Sequence, residues 1–288
     1  MKLYSIETGN FMIDGGAMFG VIPKVMWKNK YPSDENNYCN CSMRSLLIID
    51  GNRKILIDNG CGDKQDEKFF SHYYLNGETN LFDSLKNAGY SPDDITDVIL
   101  THLHFDHCGG GVKYNKDKSK LKLLFKNAKY YVSKEQLECA VNPNIREVAA
   151  YPKENFLPMI ESGQLELIEK EGKLFENLKI KFFNGHTKGL LIPYINYKGK
   201  TIVYVSDLIP VVANISLQWV SSYDLFPLTT LKEKEDFLHD GFNNDYILFF
   251  GHDLYNECCT LQKTKKGIRE KEIFTLDEFT NKQLAVGS

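Results

Sequence analysis

The sequence has no long hydrophobic run, no strong excess of either charge and no ordered pattern of cysteines. Its longest apolar stretches, residues 46–49 and 246–250, fall far short of the roughly 18 residues a membrane helix needs. No membrane-spanning segment is therefore expected. Lys and Arg number 35 against 38 Asp and Glu, a formal net charge of -3. That leaves no positive field to gather nucleic acid or anionic lipid, and neither is expected as a partner. The seven cysteines (39, 41, 61, 108, 139, 258 and 259) are odd in number and form no spaced pairs. They read as reduced thiols in a cytoplasm. Cys39 and Cys41 share a face if their segment is extended, a spacing that chance supplies as readily as a metal site does. Near the start, Glu7 and Asn10 interrupt the chain before the apolar core of an export signal could form, so the expected location is cytoplasmic.

What is present suits a folded enzyme-sized domain. The 288 residues are 42% hydrophobic and 25% charged, enough apolar side chain for a substantial core. No repeat and no low-complexity linker divides them, so residues 1–288 are read as a single domain. Strand patterns at 45–50, 54–58, 97–101, 128–132, 165–169, 178–183, 193–197, 201–206 and 246–251 mix with helical patterns at 80–88, 154–161 and 230–241. Asp50-Gly51-Asn52-Arg53 and Tyr197-Lys198-Gly199-Lys200 look like hairpin turns. Antiparallel pairs argue against a purely parallel, doubly wound sheet and for two mixed sheets covered by helices.

The chemistry concentrates at Thr101-His102-Leu103-His104-Phe105-Asp106-His107-Cys108-Gly109-Gly110-Gly111, where an apolar strand runs into three of the chain's seven histidines and a carboxylate. Burying these groups without a ligand is costly. Imidazole and carboxylate suit a borderline divalent ion, and His102 and His104, two apart on an extended segment, project to one side. His186, Asp207 and His252 recur where later strand patterns give way to turns. His72 and His239, in a loop or helix end and on a charged helical face, are not expected to bind metal. Gly109, Gly110 and Gly111 read as a tight turn, and the run Lys113, Lys116, Lys118, Lys120, Lys122 and Lys126 as a solvated surface.

With H-x-H-x-D-H followed by a later His, an Asp and a last His, the sequence resembles the metallo-β-lactamase-fold hydrolases. Ile57-Asp58-Asn59-Gly60 also resembles that family's I-D-T-G segment, with Asn59 in place of Thr. The resemblance implies a four-layer αββα sandwich of two mixed sheets and a dinuclear metal centre. Carried over by position, His102, His104 and His186 would hold one ion and Asp106, His107 and His252 the other. Asp207 would bridge them, and Asp58 would stand behind, orienting a ligand imidazole. Asp106 and Asp207 are the expected catalytic carboxylates. Zinc is the expected metal, although iron, manganese and cobalt fit the same donors. The implied activity is hydrolysis of a small ester-like substrate, a lactone or a phosphate ester, by a metal-bridging hydroxide. A thioesterase resembling glyoxalase II is the nearest rival. A di-iron oxygen or NO reductase and a non-catalytic metal-binding module are further alternatives.

Residues 14–27 resemble the N-terminal stretch of a subgroup that includes lactonases and phosphotriester hydrolases. Met18, Phe19, Met26 and Trp27 there would line a substrate entrance or seal an edge. Two departures stand out. Pro210 occupies the position, three after Asp207, where acyl-homoserine lactonases often have Tyr, and Leu190 replaces the last His of the family's G-H-T-x-G-H.

Overall fold

A computed structural model describes residues 1–286. The chain forms two compact units built from interleaved segments: Met1–Asn10, Met43–Lys170 and Gly189–Leu191 in the first, Phe11–Ser42, Glu171–Lys188 and Ile192–Ser288 in the second. No linker marks the division, because the chain passes between units inside two 13-residue strands, β1 (Lys2–Asp14) and β2 (Tyr38–Asp50).

The sheet of the first unit runs β1-β2-β3-β4-β7-β8, with β3 at Arg53–Ile57, β4 at Asp97–Ile99, β7 at Lys129–Ser133 and β8 at Leu165–Ile168. The β2–β3 pair is antiparallel, closing Asp50 against Arg53 around Gly51 at φ +58°; β3, β4, β7 and β8 are parallel. Strands β5 (Val112–Tyr114) and β6 (Leu121–Leu123) form a separate hairpin that carries much of the lysine run. Ile6, Leu47, Leu56, Val98, Leu100, Phe125 and Tyr130 belong to one buried cluster that also takes Leu81 and Leu85 from the helix Leu81–Asn87. Asn80 caps that helix, accepting from the Asp83 N–H at 3.0 Å.

The second unit holds a seven-stranded mixed sheet in the order β15-β14-β13-β12-β11-β10-β9. Its strands are β9 (Gly172–Phe175), β10 (Leu178–Phe183), β11 (Leu190–Tyr197), β12 (Lys200–Tyr204), β13 (Ile247–Phe249), β14 (Cys258–Thr264) and β15 (Gly267–Phe274). The β11–β12 turn places Lys198 and Gly199 at φ +51° and +78°, the two positive values of a type I′ hairpin. The helix Pro227–Asn243 begins with Pro at its first turn and buries Thr230, Lys234, Phe237, Leu238 and Gly241, a spacing of three to four that defines one face.

The two mixed sheets match the expected class. Strand β1 was not foreseen, nor was the β14–β15 hairpin, whose alternation is masked by charged residues such as Lys263, Arg269 and Lys271. Three expected strands end early: β4 at Ile99, β12 at Tyr204 and β13 at Phe249. Each stops three residues before a candidate ligand, so these side chains sit on loops anchored by rigid strands. All seven cysteines are free thiols, and burial pushes Cys39 up to about 12, which disfavours a thiolate ligand there. No helix among the described residues is long and apolar enough to cross a membrane.

Candidate metal centre

In the first unit the loop after β4 gathers the motif. Thr101 leaves the sheet because Asp58 takes its N–H and its hydroxyl, both at 2.8 Å. Asp58 itself sits at φ +57°, a left-handed position that Asp tolerates better than most residues. The second oxygen of Asp58 also lies 2.8 Å from Nδ1 of His107. The rings of His102 and His104 stand 4.5 Å apart and nearly perpendicular, and those of His102 and His107 stand 4.0 Å apart. Asp106, in the first turn of the short helix Phe105–Cys108, has a carboxylate oxygen 3.7 Å from Nε2 of His107. Gly109 and Gly110 let this turn close: a Cβ on either would fall 2.1 Å from the carbonyl oxygen of Cys61 or Asn59.

The second unit supplies the remaining three candidates together. One oxygen of Asp207 lies 3.2 Å from Nε2 of His186, and the other lies 3.1 Å from Nε2 of His252. Behind these rings, Nδ1 of His186 meets Asp224 at 2.9 Å, and Nδ1 of His252 meets the Ser42 carbonyl at 2.9 Å. Ser206, just before Asp207, is held at φ +43°, a strained position for a residue with a Cβ.

The donor set fits divalent metal. Four imidazoles have Nδ1 engaged from behind: His102 by the Thr101 hydroxyl at 3.1 Å, His107 by Asp58, His186 by Asp224 and His252 by Ser42. That fixes the ring orientation and leaves Nε2 as the donor, the usual construction around a bound ion. Asp58→Ala and Asp224→Ala should each lower metal affinity by about 10- to 100-fold in competition with a chelator. Unchanged affinity would reduce either carboxylate to a loop contact.

Sequence reasoning missed Asp224, the Ser42 carbonyl and Glu147. Asp224 stands in an ordinary loop 38 residues from His186, and a carbonyl leaves no mark on residue type. Glu147 is buried with an oxygen 3.6 Å from Nε2 of His104 and accepts the Tyr151 hydroxyl at 3.2 Å. The apolar stretch of the second unit also differs from an entrance. Met18, Phe19 and Trp27 are at most 1% exposed, with Phe19 stacked on Trp27 and set edge-on to Trp219, so they build core and do not line an opening. Only Met26 of the four is exposed, and it lines a groove of about 790 Å³ with Trp219 and Leu238. His72 and His239 lie apart from the ligand groups, at a helix end and on the long helix.

Comparison with known proteins gives a consistent answer. Residues 42–252 match the model of the metallo-beta-lactamase superfamily. An N-acyl homoserine lactonase of Bacillus cereus is 23% identical over 277 residues, covering 89% of this chain and 94% of that one. Among solved structures, a probable metal-dependent hydrolase from Staphylococcus aureus superposes with a TM-score of 0.87 at 29% identity, over 95% of this chain and 96% of that chain. AidC, a dizinc quorum-quenching lactonase solved with a product, superposes with a TM-score of 0.76 at 23% identity, over 95% of each chain.

Proposed function

The chain belongs to the metallo-beta-lactamase superfamily, and from that premise we propose that it is a dinuclear metal-dependent hydrolase that opens lactones. The observation that carries this reading is the double use of Asp207, one oxygen to each of two imidazole Nε2 atoms at 3.2 and 3.1 Å. Two donors on one tetrahedral ion with bonds of about 2.0–2.1 Å stand about 3.3 Å apart. Each His–Asp207 pair therefore has the spacing of two corners of a separate coordination shell.

In this reading His102, His104 and His186 would hold one ion and Asp106, His107 and His252 the other, with Asp207 as the carboxylate they would share. Zinc suits the donors, as do iron, manganese and cobalt. When bound, such a pair supplies a water-derived nucleophile near neutral pH and polarises the ester carbonyl. The chain's own task is positional. Asp58 and Thr101 in the first unit, and Asp224 and Ser42 in the second, each engage the Nδ1 side of one ring and leave its Nε2 as the metal-facing atom. Asp106, with 13% of its side chain exposed, would use its oxygen not engaged with metal to take the proton of the attacking water and return it to the leaving alkoxide.

The curated relatives support a lactone in preference to other esters. Pro210 has neither a hydroxyl nor an N–H, so recognition of an acyl-lactone cannot use a side-chain donor at that position. Assay of the metal-loaded protein on lactones with and without an acylamide, a thioester and a phosphotriester tests the proposal. Lactone turnover at least about tenfold above the others is expected, a discrimination of about 1.4 kcal/mol in barrier height. Preference for the thioester would move the assignment to the rival hydrolase, and no metal-dependent turnover on any substrate would leave a binding module.

A further inference from the structure

The buried face of the helix Pro227–Asn243 carries an amine among apolar neighbours. Lys234 is 1% exposed, and its Nζ donates to the carbonyls of Asn214, Ser216 and Trp219 at 3.0, 3.2 and 2.9 Å. Three acceptors match the full donor capacity of an ammonium group. A buried amine is costly unless so matched, and the three carbonyls belong to the segment that starts at Asp207 and ends at Asp224. That segment joins the carboxylate facing two imidazoles to the carboxylate that holds His186 from behind.

The neighbouring residue holds the backbone that leads into the same histidine. Glu233 accepts the Asn184 N–H at 2.8 and 3.0 Å and the Gly185 N–H at 2.9 Å, immediately before His186. The approach is close: a Cβ on Gly185 would stand 2.5 Å from the Thr230 backbone nitrogen. Backbone bonds continue the attachment, from Phe226 N–H to the Gly185 carbonyl at 2.9 Å and from Leu225 N–H to the His186 carbonyl at 3.0 Å.

We propose that Glu233 and Lys234 are positioning residues that hold the His186–Asp207–Asp224 group in register from one helix. Glu233 fixes the backbone that delivers His186, and Lys234 fixes the middle of the segment that delivers Asp207 and Asp224. Neither touches the ligand atoms, so both act through the loops they hold. The proposal rests on the metal-centre reading, and its test separates the two.

The test compares wild type with Glu233→Ala, Glu233→Gln and Lys234→Gln. Hydrogen exchange of the metal-free proteins is measured first, because it does not depend on metal. Glu233→Ala should speed exchange at the Leu225 amide, which reports on His186, at least about tenfold, and Glu233→Gln, which keeps one acceptor, should restore most of the protection. Lys234→Gln should change the emission of Trp219 and loosen residues 214–219. Unchanged Leu225 protection in folded Glu233→Ala would overturn the clamp whatever the metal content. Cobalt uptake is measured next. Glu233→Ala and Lys234→Gln should bind one cobalt ion at least about tenfold more weakly than wild type, with an altered visible spectrum. Wild-type affinity and spectrum in both variants would also overturn the proposal, leaving the two residues as supports of the helix. Wild type that takes up no cobalt would instead count against the metal-centre reading.

Discussion

Asp207→Ala is expected to lose at least about 1,000-fold in lactone turnover even when excess metal restores occupancy. Both oxygens of Asp207 are in use, one toward His186 and one toward His252, so its removal takes a contact from each of two imidazoles. The backbone is committed too, since Ser206 is held at φ +43° to deliver this side chain. In the proposed centre the carboxylate both offsets positive charge and fixes the spacing of the ions, and an error of about 1 Å at reacting atoms costs about 100-fold by itself. Asp207→Asn should fall between wild type and Asp207→Ala, because it keeps one oxygen while its amide nitrogen cannot act as an acceptor or ligand. Steady-state assays at saturating metal check this. Wild-type-like hydrolysis by Asp207→Ala would be incompatible with the shared carboxylate.

A second large effect falls on stability. Asp253, beside His252, is fully buried, and it accepts from the Val212, Tyr255 and Asn256 N–H groups and from the Asn256 side chain at 2.9–3.1 Å. Burial pushes its pKa above the usual carboxylate value while these donors pull it back. Asp253→Ala would strand three backbone donors at about 1–3 kcal/mol each, for a net loss of about 3–5 kcal/mol. That corresponds to a fall in Tm of about 10 °C for a chain of this size. Thermal unfolding of the variant measures it, and a drop under about 2 °C would mean that water satisfies these groups. Exposed Asp236, paired with Lys232 on the long helix, is the neutral control for Asp207.

Legibility followed locality. His102, His104, Asp106 and His107 stood out because they lie within six residues at the end of an apolar strand, and His186, Asp207 and His252 because each follows a strand pattern. The early ends of β4 and β12 were hidden, since they arise from Asp58 capturing Thr101 and from the left-handed turn at Ser206. Asp224, Asp253 and Lys234 were invisible for the same reason. Their partners are backbone groups or rings up to 41 residues away, and no spacing rule links them. Met18, Phe19 and Trp27 show the opposite limit, because composition marks large apolar side chains without saying whether they face a cavity or one another.

The most direct test of the central claim is elemental analysis of the purified protein after metal is re-added and unbound ions are removed, performed alongside lactone assays on the same samples. The account predicts about two ions per chain, with turnover rising as the second is filled and lost on chelation. Full lactone turnover with one ion or none, or occupancy that never exceeds one, would contradict it.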